Sequence, residues 1–184
     1  MKVIEQEIHS LKNSISEMWA LVHQQLYNAG EAMLTGDKEL AYKVISRERR
    51  VNAFELKIDS DCEDIIALYA PVAIDLRFVL AMYKINTNLE RLGDFAESIA
   101  RFAGNLPEGE PIDPQLVKET RVEEMLSELL SMISLTKEAF EKESSEIASR
   151  IFLKDNLIDE INHNSTAIIA KYIEEHKGLS LIHI

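Results

Sequence analysis

Apolar residues recur at three- and four-residue spacing along almost the whole chain. That period defines one face of a helix and is incompatible with the alternation of a half-buried strand. The first run covers roughly residues 3–34, with Ile4, Ile8, Leu11, Ile15, Met18, Val22, Leu26, Ala29 and Met33 on one side. Thr35-Gly36-Asp37 ends it, because glycine suits a helix C-cap and Asp37 can cap the helix that follows. The second run, roughly 38–69 with a bend expected near Arg49, stops at Pro71. Proline is tolerated in a first helical turn, so Pro71 is expected to open helix three. There Met82, Ile85, Leu89, Leu92, Ala96, Ile99 and Ala103 step by three and four without a break, which predicts a bundle seam. Helices of about 30 residues are about 45 Å long, so the first three predict a tall antiparallel bundle.

Gly104 to Pro114 is the only punctuated stretch, with two glycines and three prolines, and reads as a linker. Helix four is expected at about 115–141 and helix five at about 145–176. The second half repeats the first at an offset of about 107 residues. Leu40-Ala41 aligns with Ile147-Ala148, Val44 with Ile151, Glu48 with Asp155, Val51-Asn52 with Ile158-Asp159, and Met18 with Met125. The same offset aligns the break at Gly36-Asp37 with Glu143-Ser144. The expected fold is therefore all-α: two tandem three-helix bundles, the second lacking its last helix. The boundaries read as residues 1–104, a linker over 105–114, and an incomplete bundle over 115–178. A sixth helix would begin near position 178, with counterparts of Glu90 and Asp94 at about 197 and 201. The chain is accordingly expected to be C-terminally truncated, leaving an apolar groove that favours association. Leu179-Ser-Leu-Ile-His-Ile184 resembles a translated sequencing-library adapter and is expected to be a non-native tail.

The formal net charge of -12 argues against nucleic acid, which needs a basic footprint, and suits cations or a basic partner. Cys62 is the only cysteine, so no disulfide can form within the chain. It falls in an apolar stripe with Ile58, Ile65, Ile66 and Tyr69 and reads as core. The N-terminus MKVIEQEIHS has no long apolar run, so neither a signal peptide nor a membrane span is expected there. The predicted location is cytoplasmic, with membranes reached only through partners.

Chemistry is sparse. Three carboxylate pairs stand at i, i+4 spacing: Glu55 with Asp59, Glu90 with Asp94, and Asp155 with Asp159. Like charges so spaced repel unless a cation sits between them. On helix two the stripe reads Glu48, Asn52, Glu55, Asp59; on helix three it reads Asn86, Glu90, Asp94, Glu97. With Leu89 and Leu92 on the seam, Glu90 and Asp94 are expected on the outer side, facing solvent or a partner. Oxygen donors without thiolate suit hard or intermediate cations, a divalent metal or iron, with Fe, Mn, Mg and Zn all open. A plain solvated face is the commoner outcome for such pairs. Gly93 lacks a Cβ and can admit a neighbouring helix or a metal-bound ligand. Glu160-Ile-Asn-His163 has the Glu-x-x-His pattern of a di-iron site, but a second copy is lacking. His9, His23 and His176 have no ligand spacing, and there is no glycine-rich phosphate loop.

Residues Pro71 to Ile99, PVAIDLRFVLAMYKINTNLERLGDFAESI, carry the most specific pattern: Asp75-Leu-Arg77 early in a helix that later reads Leu89-Glu-Arg-Leu-Gly-Asp94. This order resembles the PhoU family of bacterial phosphate-signalling regulators, over about residues 3–177. The resemblance implies tandem three-helix bundles whose Glu/Asp-x-x-x-Asp motifs hold surface metals in some members. Glu90-Arg-Leu-Gly-Asp94 matches that motif, and Asp155-x-x-x-Asp159 matches its helix-two counterpart. In the first repeat the counterpart is Glu48-x-x-x-Asn52, an amide replacing a carboxylate, with Glu55 and Asp59 nearby to compensate. The implied function is negative regulation of phosphate uptake and of the phosphate-starvation response. The chain would act as a non-enzymatic adaptor between the phosphate ABC transporter ATPase and a phosphate-sensing histidine kinase, as a homodimer. The alternatives are a carboxylate-bridged metal enzyme, a metal-free structural helical dimer, or the PhoU-like tail of a sodium/phosphate symporter. The start at Met1 favours the stand-alone form over the last.

Overall fold

The computed structural model describes residues 3–107 and 111–176. The expected non-native tail and the start of a sixth helix near position 178 lie outside these residues. Among those described, every regular element is a helix: α1 Val3–Thr35, α2 Lys38–Tyr69, α3 Ala73–Asn105, α4 Pro114–Thr120, α5 Val122–Glu141 and α6 Ser145–Glu175. None of them is long and apolar enough to cross a membrane.

Helices α1, α2 and α3 pack on one another pairwise into an antiparallel three-helix bundle. Its core is continuous: Leu11, Ile15, Met18, Val22 and Ala29 of α1 meet Val44, Val51, Ile58 and Ile65 of α2 and Val79, Met82, Leu89 and Ala96 of α3. Gln25 is fully buried and donates from Nε2 to the Val44 carbonyl at 2.8 Å, which ties α1 to α2 through the core. The turn from α1 to α2 forms as the sequence requires. Gly36 takes φ 71°, and the Asp37 carboxylate accepts from Leu40 N at 2.9 Å. The α6 N-terminus repeats this device, with Ser144 Oγ accepting from Ile147 N at 3.3 Å. α2 opens at Lys38 and α6 at Ser145, so the helix starts keep the offset seen in the sequence.

Two helical expectations are corrected. Pro71 does not open α3. Ala70 ends α2 in the left-handed region at φ 44°, bonding back to the Ile66 carbonyl. Pro71 follows this cap, where its missing N–H costs nothing, and α3 begins at Ala73. α2 runs without interruption through Arg49. The expected fourth helix is two helices, because Arg121 adopts φ 55°, ψ 30° and turns α4 away from α5. A left-handed non-glycine residue costs about 1–2 kcal/mol, so this break must be held by other contacts. Arg121 supplies them: its guanidinium bonds Glu124 at 2.7 and 3.0 Å and Glu160 of α6 at 2.9 Å.

The second half rests on α1. Trp19 stacks on Phe140 of α5 with ring centroids 5.9 Å apart. Lys12 lies 5.5 Å from the centroid of the same ring and pairs with Glu143 at 2.8 Å. Further along, Gly30 of α1 faces Leu126 so closely that an added Cβ would fall 2.2 Å from Cδ2. α6 packs on α5 and α4. Repeat positions show how open this half is. Val44, Val51, Cys62 and Ile65 are buried, whereas their counterparts Ile151, Ile158, Ile169 and Tyr172 are half-exposed. Among the described residues of α4 to α6, only Thr120, Ala139 and Ile161 are buried.

Candidate functional site: an acidic seam between α2 and α3

The buried positions of α3 are Val79, Met82, Asn86, Leu89, Gly93, Ala96, Ala100 and Ala103. They keep the predicted three-four spacing but place Asn86, Gly93 and Ala100 in the positions expected for Ile85, Leu92 and Ile99. Ile85, Leu92 and Ile99 flank the core instead. The same register on α2 reads Ala41, Val44, Glu48, Val51, then half-buried Glu55, then Ile58, Cys62 and Ile65. Glu48 and Asn86 therefore lie within the α2–α3 contact rather than away from the seam, whereas Asn52 and Asp94 are exposed, on the outer side expected for the stripes. A helix in a three-helix bundle touches two neighbours, so its buried arc is wider than one apolar line.

Three local features build the site. At Gly93, a Cβ would fall 2.9 Å from Val51 Cγ1, so the missing side chain lets the two helices close up beside Glu48. At Asn86, wholly buried, Nδ2 donates to the Glu55 carbonyl at 2.9 Å and to Asp59 Oδ1 at 2.7 Å. At Glu48, 5% exposed, neither carboxylate oxygen has a hydrogen-bond partner. Burial, followed by the negative charges of Asp94, Glu97 and Glu90, pushes its pKa up to about 7. Glu90 is shifted upward as well, by burial and then by Asp94 and Glu55.

The sequence-derived residues thus separate into groups. Glu48 is buried, Glu90 and Glu97 are half-buried and Asp94 is exposed, and the charges of the three α3 residues act on Glu48 across the seam. Glu55 and Asp59 sit about two and three turns further along α2, linked to α3 through Asn86. Asn52 is exposed on α2, outside the buried register. Asp155 and Asp159 are both exposed on α6 and far along the chain from the first set. Glu160 is engaged by Arg121, so the Glu160–His163 pattern serves a helix-helix tie. Cys62 is buried, as its stripe implied, and its thiol is pushed up to about 12, chiefly by burial. Among the described residues, no three His, Cys, Asp or Glu groups converge closely enough to hold a metal ion as they stand. The orphaned Glu48 oxygens, surrounded by further carboxylates, are nevertheless a donor set whose charge a hard cation would satisfy.

The fold and this seam define a class: an all-α tandem-bundle protein whose ionisable groups line a helix-helix contact. Residues 15–103 match the PhoU domain model. Over 92% of its length the chain is 33% identical to the phosphate-specific transport system accessory protein PhoU homolog of Aquifex aeolicus, spanning 75% of that protein. It is 34% identical to the Escherichia coli phosphate-specific transport system accessory protein PhoU, across 84% of this chain and 62% of that one. The crystal structure of PhoU from Pseudomonas aeruginosa superposes with a TM-score of 0.86 at 27% identity, covering 93% of this chain and 80% of the other. The phosphate transport system regulatory protein PhoU from Streptococcus pneumoniae gives 0.82 at 28% identity, covering 94% and 79%. The chain belongs to the PhoU family.

Proposed function

We propose that this chain is an accessory regulator of phosphate-specific transport, which restrains phosphate uptake and phosphate-starvation signalling. The observation that carries the reading is its similarity, over more than nine-tenths of its length, to an accessory protein of that transport system. In this reading it works in the cytoplasm as a homodimeric adaptor between the transporter ATPase and a phosphate-sensing histidine kinase, without catalysing a reaction itself. The seam supports a binding role: Glu48 is buried without a hydrogen-bond partner among charges of its own sign. Glu48, Glu90 and Asp94 would hold a divalent cation, with Asp155 and Asp159 offering a second, more exposed pair. The cation would neutralise the seam and supply coordination sites to acidic partner groups that this anionic bundle otherwise repels. The chain's own residues set its place: Gly93 opens the room, Asn86 fixes Asp59, and Val51 and Leu89 keep one side dry.

The test is replacement of the resident accessory protein in a phosphate-replete host. This chain should keep phosphate uptake and a starvation-promoter reporter low. The triple variant Glu48→Gln/Glu90→Gln/Asp94→Asn should release both. Unrestrained uptake with the unaltered, well-expressed chain refutes the regulator reading. Full restraint by the triple variant refutes the role of the seam alone.

A further inference from the structure

Residues 119–123, Glu-Thr-Arg-Val-Glu, contain neither glycine nor proline, and their periodicity continues that of the flanking helices. Nothing in their local chemistry requires a break, yet Arg121 sits in the left-handed region and α4 folds back from α5. The break has a use. It lays α4 against α6, and Leu116, Val117 and Thr120 wall a cavity of about 400 Å3 opposite Ile161, Ile169 and Tyr172. α4 thereby covers part of the apolar face of α6.

Two polar ties accompany this apolar packing of α4 on α6. Arg121 reaches Glu160 at 2.9 Å, and the Tyr172 hydroxyl donates to Asp113 Oδ2 at 2.6 Å. That hydrogen bond, followed by the Gln115 N–H, holds the Asp113 carboxyl below its usual range. Arg121, Glu124 and Glu160 are all open to water, and exposed ion pairs are individually weak and screened by salt. The competing state, α4 continuous with α5, restores ordinary helical geometry at Arg121.

We propose that α4 is a strap hinged at Arg121, docked on α6 by the Arg121–Glu160 and Asp113–Tyr172 ties. It releases by joining α5 into one helix, which uncovers Ile161, Ile169 and Tyr172. The device follows from the geometry of the second half and is independent of the regulator reading.

Spin labels on Lys118→Cys and Asn164→Cys, both exposed positions, report the α4–α6 distance by double electron–electron resonance. Buried Cys62 stays unlabelled. Arg121→Ala should raise the ratio of long to short distances roughly tenfold, by removing the Glu160 tie and the Glu124 bonds that hold the break and by favouring helix. Glu160→Gln should raise it roughly threefold and leaves the hinge residue intact should Arg121→Ala fold poorly. Arg121→Gly, at ease with positive φ, should keep the short distance despite losing the same ties. High salt should lengthen the wild-type distance. A single short distance in both Arg121→Ala and Glu160→Gln overturns the proposal. So does an Arg121→Gly distribution identical to that of Arg121→Ala.

Discussion

Gly93 of α3 lies against Val51 of α2 at a separation that excludes a methyl group, since an added Cβ would come within 2.9 Å of Val51 Cγ1. Val51 is short, branched and fully buried, so it has nowhere to retreat. Gly93→Ala gains about 1 kcal/mol of helix propensity and loses about 1–3 kcal/mol to overpacking. A net loss of roughly 1 kcal/mol is expected, read as a lower urea midpoint with an unchanged slope. A variant more stable than wild type would show that the helices separate freely there.

Glu48 makes stability fall as pH rises. Its folded pKa of about 7 lies above the ordinary value of 4.5, so between these limits the folded state holds the proton more tightly. The contribution is intact below about 4.5 and is lost as pH climbs through about 7. On the order of 3 kcal/mol is at stake across the window, from the size of the shift. Glu48→Gln should therefore stabilise the chain at pH 8 in the presence of chelator and change little at pH 5. Urea titrations at the two values check this. Equal effects at both would place the Glu48 charge in water.

Metal content tests the seam directly. Elemental mass spectrometry on protein purified without chelator should find stoichiometric metal in the wild type. The amount should fall in Glu90→Gln/Asp94→Asn, while Asp155→Asn/Asp159→Asn retains the seam-bound share. Metal held equally by all three would place it elsewhere, and none in any would leave a seam that works by protonation alone.

Asn86→Ala removes two donated hydrogen bonds, one of them to a carboxylate, and empties a buried volume between α2 and α3. A loss of about 2–3 kcal/mol is expected from denaturant melts. A loss under about 0.5 kcal/mol would mean that water replaces the amide without penalty.

Phe140→Ala tests the joint between the halves. It removes the ring stacked on Trp19 and approached by Lys12, and should cost about 2–3 kcal/mol. Trp19 is the only tryptophan, so its emission should shift to the red before global unfolding. An unshifted spectrum would show that α5 stays docked without this contact.

The α1 face was legible from the sequence because Leu11, Ile15, Met18, Val22 and Ala29 are apolar and evenly spaced. The α1–α2 cap was legible because Gly36 and Asp37 have few other uses at that spacing. The seam of α3 is displaced by one residue at three positions, because Asn86 and Gly93 carry no apolar signal and Ala100 carries a weaker one than Ile99 beside it. The strongly apolar Ile85, Leu92 and Ile99 pack at the rim. Glu48 went unnoticed as a core residue for the same reason. Extending the seven-residue register of α2 through its polar positions, from Val44 to Glu48 to Val51 to Glu55, would have found it. Arg121 gave no signal at all: its break is held by Glu160, a partner 39 residues away. Glu97 belongs to the stripe by spacing, but its action on Glu48 follows only from the packing of the two helices.

The pairing of Gly93 with Val51 also indexes the two helices lengthwise. Sliding α3 by one heptad would bring Asn86 to the place where Gly93 passes Val51, forcing a branched amide into a gap too small for a methyl. The same slip would strip Asp59 of its amide donor. A seam of leucines alone would accept several such alignments at similar energy. This one is keyed at two notches, so α2 and α3 can lock in a single longitudinal position.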